Sequence, residues 1–265
     1  MFPIAQNLQD TSGIQQVQAA MDTAIAGRQG QAQGQVQGAI MLVAVSKTRP
    51  AGDIRRAFAA GLRHFGENYV QEAVDKIHAL ADLRATRGID GIQWHLIGPL
   101  QSNKARLAAT HFDWVQSVDR EKIADALNQH RPITVAPLNV LIQVNISAET
   151  AKSGAAPASV AALAAHIATL PRLKLRGLMA IAENITDETV LRGQFRQMHR
   201  LFAQTKLNHP QLDTLSMGMS QDYTIAIDEG ATMVRVGSAI FGARVAADWI
   251  QQNREPQMDA DKSRR

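Results

Sequence analysis

No cysteine occurs among the 265 residues, which excludes a disulfide framework, a thiolate nucleophile and a zinc-ribbon site and leaves nothing to argue for an oxidising compartment. Aromatic residues are scarce, at 5%, and the only tyrosines are Tyr69 and Tyr223. No apolar run approaches the ~18 residues of a membrane span, and the stretch from Met1 to Leu8 lacks the basic and continuous apolar segments of an export signal. A cytoplasmic protein, neither exported nor held in a membrane, is the expectation. The net charge is +4, yet the basic residues are scattered, with no run beyond pairs such as Arg55-Arg56 and Arg264-Arg265. Nucleic acid is therefore not an expected partner.

What the chain does have is apolar residues, 45% of the total, in short runs that alternate with amphipathic stretches. Ile14, Val17, Met21 and Ile25 fall on one face at helical spacing, so a helix is predicted over 13–27, packing as a lid or plug. The Gln/Gly tract that follows, 27–38, has too little apolar surface to fold and reads as a flexible loop. The first strand is Met41–Val45 with Ser46 and Lys47, closed by Pro50, which lacks a ladder donor and biases Arg49 away from the helical region. Seven further strands are predicted at 63–68, 92–97, 114–118, 139–145, 176–181, 214–217 and 233–236. Helices separate them, one with Asp119 as N-cap and one with Pro157 in its first turn. Eight strands alternating with helices over roughly two hundred residues make a single (β/α)8 TIM barrel of the α/β class with an extra N-terminal helix. A Rossmann sheet is disfavoured, since no Gly-x-Gly-x-x-Gly follows the first strand. The segments are then 1–38, N-terminal helix and loop; 39–250, the barrel; and 251–265, a polar tail without periodicity, expected to be disordered.

Sites on such barrels gather at the strand C-termini. Lys47 follows strand one, Glu67 and Asn68 close strand two, His95 precedes a Gly98–Lys104 loop, and Asn145 closes strand five. After strand seven comes Ser216-Met217-Gly218-Met219-Ser220, and after strand eight Gly237-Ser238. Small residues there let backbone amides approach an anion. A desolvated lysine can form a Schiff base. Lysine on one side and a phosphate cradle on the other match pyridoxal 5′-phosphate (PLP), whose aldehyde and phosphate lie at opposite ends of a ring. Arg235, one step below Gly237, would lie near that ring; the alternative is a structural ion pair with Asp228 or Glu229. No metal site is expected.

Seven stretches then carry a resemblance: Ala44–Thr48, Phe65–Glu72, Trp94–Lys104, Gln143–Ser147 with Lys152–Gly154, Gly177–Ile181, Leu215–Asp222 and Val234–Gly242. Together they resemble the PLP homeostasis protein family over about residues 40–244. That resemblance implies a fold-type III barrel like the N-terminal domain of alanine racemase, with PLP held as an aldimine on Lys47. It further implies Ser216, Ser220, Gly237 and Ser238 as phosphate ligands, Arg235 at the pyridine nitrogen and Asn68 lining the pocket. No catalytic residue is implied. His95, Lys104 and Lys152 match motif positions whose roles stay open, although a histidine such as His95 is more often a hydrogen-bonded barrel residue than a catalyst. The implied function is a PLP reservoir or carrier without turnover, a monomer passing its cofactor to PLP-dependent apo-enzymes. The alternatives are a PLP-dependent racemase or decarboxylase, and a cofactor-free aldolase using Lys47. The racemase needs an opposing tyrosine from a second domain for which the chain has no length. Departures from the family pattern, at Ala182, the Gln/Gly tract, 245–247 and the extended tail, leave Lys47 and the phosphate loops untouched.

Overall fold

A computed structural model describes residues 11–31, 39–84, 91–147, 153–182 and 187–242. Eight parallel strands close into a barrel in sequence order, β1 (Met41–Val45), β2 (His64–Glu67), β3 (Gln93–Leu96), β4 (Trp114–Val118), β5 (Leu138–Val144), β6 (Leu173–Ala180), β7 (Thr214–Ser216) and β8 (Met233–Val236), with β8 paired back onto β1. The helices of the first seven crossovers are α2 (Ala51–Ala59), α3 (Val70–Ala79), α4 (Ala105–His111), α5 (Glu121–His130), α6 (Val160–Ala168), α7 (Glu188–Asn208) and α8 (Tyr223–Asp228). Two more are α1 (Ser12–Gln31) before the barrel and α9 (Ser238–Phe241) after it. The (β/α)8 architecture expected from the alternation is the one observed. No helix among the described residues is long and apolar enough to cross a membrane.

Strand pleating divides the chain between two environments. On β1, Met41 and Val43 meet Trp114, Leu141, Met179 and Met233 in an apolar cluster that fills the barrel. The alternate residues, such as Ala44, Phe65, Val115, Leu178 and Val234, join the larger core between strands and helices. Burial of that outer layer also fixes α2 and α3, whose Ile54, Ala57, Val70, Ala73, Val74 and Ile77 form one face each. Gly61, with φ of 100°, ends the α2 segment as the sequence suggested.

The N-terminal helix departs from expectation twice. It is not a lid: Ile14, Val17 and Met21 are buried against α8 and α9 on the outside of the barrel. Gly13 sits so close to α9 that a Cβ would lie 2.5 Å from Ala239 O, and Arg28 donates to Ala231 O at the opposite end of β8 (3.2 Å). The four residues of α9 cannot cover that flank, so α1 fills the position of the eighth crossover helix. It also continues to Gln31, through the first residues of the tract read as a loop; the rest of that tract and the tail lie outside the described residues. Smaller corrections follow from local hydrogen bonding. Asp119 does not cap α5; Arg120 is the N-cap and binds the Asp119 carboxylate instead. Strand β6 starts at Leu173, three residues earlier than predicted, because Leu138 to Val140 extend the ladder on its β5 side.

Candidate cofactor site at the barrel mouth

Strand β1 stops at Val45, two residues short of Lys47, because Lys47 and Thr48 form a turn. Thr48 has φ of 63°, an uncommon conformation for a β-branched residue. The turn is pinned on both sides of the lysine. Ser46 N–H donates to Gly66 O (2.9 Å), and Ser46 O accepts from Arg49 N–H (3.0 Å) and from Lys76 Nζ (2.7 Å). Glu72 Oε1 accepts from Thr48 N–H (2.6 Å) and Lys76 Nζ (2.7 Å); Glu67 Oε1 accepts from Ser46 Oγ (2.6 Å) and Lys76 Nζ (2.8 Å). This clamp lies behind the strand, on the α3 side. Glu67, expected at the mouth, faces away from it, because its parity on β2 is that of Phe65 in the outer core. Burial pushes the Glu67 carboxyl up to about 7 against the opposing pull of Lys76.

Closure of the barrel makes β7, β8, β1 and β2 consecutive, so the seven residues expected to hold a cofactor come from four adjoining strands. The Lys47 turn and the loops expected to bind an anion are thus neighbours and not on opposite sides of the mouth. Ser220 Oγ accepts from Gly237 N–H (3.0 Å) and ties the two loops together. Gly237 packs on β1, where an added Cβ would be 3.2 Å from Val45 Cβ, two residues before Lys47. Gly218 has φ of 93° and would meet Ala226 Cβ at 2.6 Å, so both conformation and contact require glycine. Asp222 accepts from Met219 N–H and closes the 219–222 turn; burial raises its carboxyl, which Arg235 partly offsets. Asn68 continues β2 beside Gly98, whose Cβ would strike Asn68 O at 2.2 Å. Ser238 is exposed at the start of α9.

Arg235 is buried two residues below Gly237 and donates to Ser216 Oγ (2.5 Å) and Ala180 O (2.8 Å). The ion pair considered for it does not form, since Asp228 and Glu229 bind Arg192, and Glu229 also Arg196. Burial lowers the guanidinium to about 10, which leaves it charged at neutral pH and able only to donate. Ser216 Oγ in turn donates to Gln116 Oε1 (2.7 Å). His95 is fully buried and bonded to His64 and Gln116 at 3.0 Å each, the barrel histidine that its sequence context suggested. Lys104 ends a short 3-10 turn after β3, away from these contacts, and Lys152 lies outside the described residues. Sequence reasoning passed over Lys76, Glu72, Gln116 and His64. The i,i+4 spacing of Glu72 and Lys76 and the amide inside the apolar run Trp114–Val118 were the available signals.

Donors suited to an anion, a primary amine and a buried guanidinium under one mouth suit a phosphorylated aldehyde cofactor, and they define a barrel of the alanine racemase N-terminal type. The sequence profile of that family, alanine racemase N-terminal domain, matches residues 23–245. Alanine racemase from Corynebacterium glutamicum aligns at TM-score 0.60 and 16% identity, over 89% of this chain and 62% of the racemase, a likeness of fold alone. Nearer relatives are pyridoxal phosphate homeostasis proteins. That of Escherichia coli is 55% identical over 205 residues, 77% of this chain and 86% of the relative; that of Vibrio cholerae is 52% identical over 211, 80% and 88%. PipY of Synechococcus elongatus, solved without and with PLP, is 40% and 39% identical at TM-scores of 0.71 and 0.69, over 82% of this chain and 100% of PipY. The chain belongs to the pyridoxal phosphate homeostasis protein family.

Proposed function

We propose that the protein holds pyridoxal 5′-phosphate at the barrel mouth and gives it up to PLP-dependent apo-enzymes, as a cytoplasmic monomer without substrate turnover. The observation that carries the reading is the bond between Ser220 and Gly237, which joins the β7 and β8 loops beside the Lys47 turn with Arg235 directly below. When bound, the cofactor supplies an aldehyde that condenses with a primary amine and a ring that can withdraw electrons. Lys47 Nζ is the amine, presented by the clamped turn. The Ser220 hydroxyl, which accepts from Gly237 N–H and keeps its own hydrogen, donates to phosphate together with the backbone amides at 238 and 239. Ser216, expected in the same role, already spends its hydrogen on Gln116 and serves Arg235 instead. Arg235 stands at the pyridine nitrogen and, being unable to accept a proton, leaves that nitrogen unprotonated. Asn68 lines the pocket from β2. PLP bound to PipY and the names of the Escherichia coli and Vibrio cholerae relatives support this reading, and a cysteine-free sequence suits the cytoplasm.

Borohydride reduction of the PLP-loaded protein tests it. A stable label is expected on the peptide containing Lys47. A label confined to another lysine, or no reducible chromophore at all, overturns the assignment.

A further inference from the structure

Five polar side chains from five strands form one hydrogen-bonded file through the barrel: Arg235 on β8, Ser216 on β7, Gln116 on β4, His95 on β3 and His64 on β2. Successive heavy-atom separations are 2.5, 2.7, 3.0 and 3.0 Å. The first four residues are buried, and His64 at the start of β2 is half-buried.

The direction of every bond follows from one end. A guanidinium has no acceptor, so Arg235 donates and Ser216 Oγ accepts. The single hydroxyl hydrogen of Ser216 goes to Gln116 Oε1, which leaves Nε2 as the far atom. That amide nitrogen donates to His95 Nδ1, and its second hydrogen faces Met233 S at 3.1 Å, consistent with the same orientation. His95 Nδ1 is therefore bare and its proton sits on Nε2, from which it donates to His64 Nδ1. His64 in turn carries its proton on Nε2. Both imidazoles must be neutral, because a second proton on either would set N–H against N–H. Burial acts in that direction, holding His95 well below the usual histidine range and His64 at about 4, with Asp113 the opposing charge. Trp114 stacks on His95 at 5.2 Å and 11° and covers one face of the ring.

We propose that this file is a positioning device for Arg235, with Gln116 as its pivot: it locks the guanidinium in place by fixing the donor direction of every member, and so fixes the His95 tautomer as Nε2–H. The part that concerns Arg235 facing the cofactor ring rests on the function proposed above; the tautomer does not. Ser216 cannot rotate towards solvent without leaving the Gln116 carbonyl bare, and Gln116 cannot turn over without opposing its amide to the serine hydrogen. The file thus resists reorientation as a unit.

Nitrogen-15 NMR of the histidine rings in the cofactor-free protein, assigned with a His95→Gln variant, reads the first claim. A pyrrole-type Nε2 and a pyridine-type Nδ1 are expected for His95 across neutral pH, and Gln116→Glu should convert Nδ1 to the protonated nitrogen, since a carboxylate accepts where the amide donated. A protonated Nδ1 in the wild type, or no change in Gln116→Glu, overturns the file whatever the cofactor does. The second claim is read by loading PLP on Gln116→Leu. We expect at least tenfold weaker binding and a displaced absorption maximum of the bound cofactor, with inorganic phosphate binding unchanged. Wild-type affinity and spectrum in a folded Gln116→Leu overturn the positioning role. Should that variant not fold, Gln116→Glu, which keeps volume and the serine bond, must show the displaced maximum, and a wild-type spectrum there is equally fatal. Correct tautomers in a wild-type protein that does not bind PLP would instead overturn the proposed function and leave the tautomer claim standing.

Discussion

Glu67 is a group whose ionisation should work against stability. It is fully buried, its Oε2 has no partner among the described residues, and the clamp it shares there with Glu72 and Lys76 holds two carboxylates against one ammonium. Burial raises its pKa from 4.5 to about 7. The sign follows from linkage: a folded-state value above the unfolded one gives stability that is complete below pH 4.5 and is lost as pH rises to about 7. At 1.36 kcal/mol per pKa unit the loss is about 3 kcal/mol. Glu67→Gln retains an acceptor for Ser46 and Lys76 and removes the titration. Its unpaired amide adds a constant cost of ~1–3 kcal/mol at every pH, so the informative quantity is the difference between variant and wild type as pH changes. Urea unfolding of both proteins at intervals from pH 4.5 to 8.5 supplies it, with equal m-values as the check that the free energies compare. The variant should gain about 3 kcal/mol relative to wild type between pH 4.5 and 7 and nothing above. A flat difference, or one of opposite sign, would mean that Lys76 holds Glu67 ionised through that range, and the desolvation argument would fail.

Pyridoxal lacking its phosphate should bind at least about 100-fold more weakly than PLP, because two or more charge-assisted bonds of ~1.5–3 kcal/mol each are lost; equal affinities by fluorescence titration would remove Ser220 and the 238–239 amides from the site. Gly218→Ala should cost more than ~2 kcal/mol in urea unfolding, since φ of 93° and a 2.6 Å approach to Ala226 Cβ act together, and an unchanged midpoint would refute the strained-loop description. No α-proton exchange beyond that of free PLP is expected by NMR in deuterated water over a panel of amino acids. Stereospecific exchange at an enzymatic rate, traced to the Lys47-bound cofactor, would favour a racemase over a carrier.

Much of this fold was legible because the apolar runs are short and evenly spaced, so strand number and barrel closure followed from counting. Lys47 and the two glycine loops stood out for the same reason, as polar or small residues placed where an apolar run ends. The N-terminal helix was legible as a helix but not in its place. Nothing in Ile14, Val17 and Met21 says which surface covers them. Glu67 was misplaced because it ends a strand, and an end residue reads as a mouth residue unless its parity is fixed by a neighbour. Phe65, two positions earlier in the outer core, fixes it. The interior file was the least legible part, since bonded members lie up to 100 residues apart and meet only when the barrel closes.

Parity also explains how one short segment serves two purposes. Ser46 and Lys47 are adjacent, just beyond the C-terminal end of β1. Ser46 turns back to Glu67 and Lys76, so the carboxylates that fix the turn stand behind the strand. Lys47 follows in the turn, from which the function proposed above takes its amine. A slip of one residue in the pairing of β1 would exchange the two faces of the strand, moving Val43 out of the barrel interior and Ala44 into it. The register that prevents it is set on both edges, by Val43 opposite His64 on β2 and opposite Arg235 on β8. The same pairings set the height of both ends of the histidine-to-arginine file. The height at which the Lys47 turn leaves β1 and the height of Arg235 on β8 are therefore two consequences of one strand register.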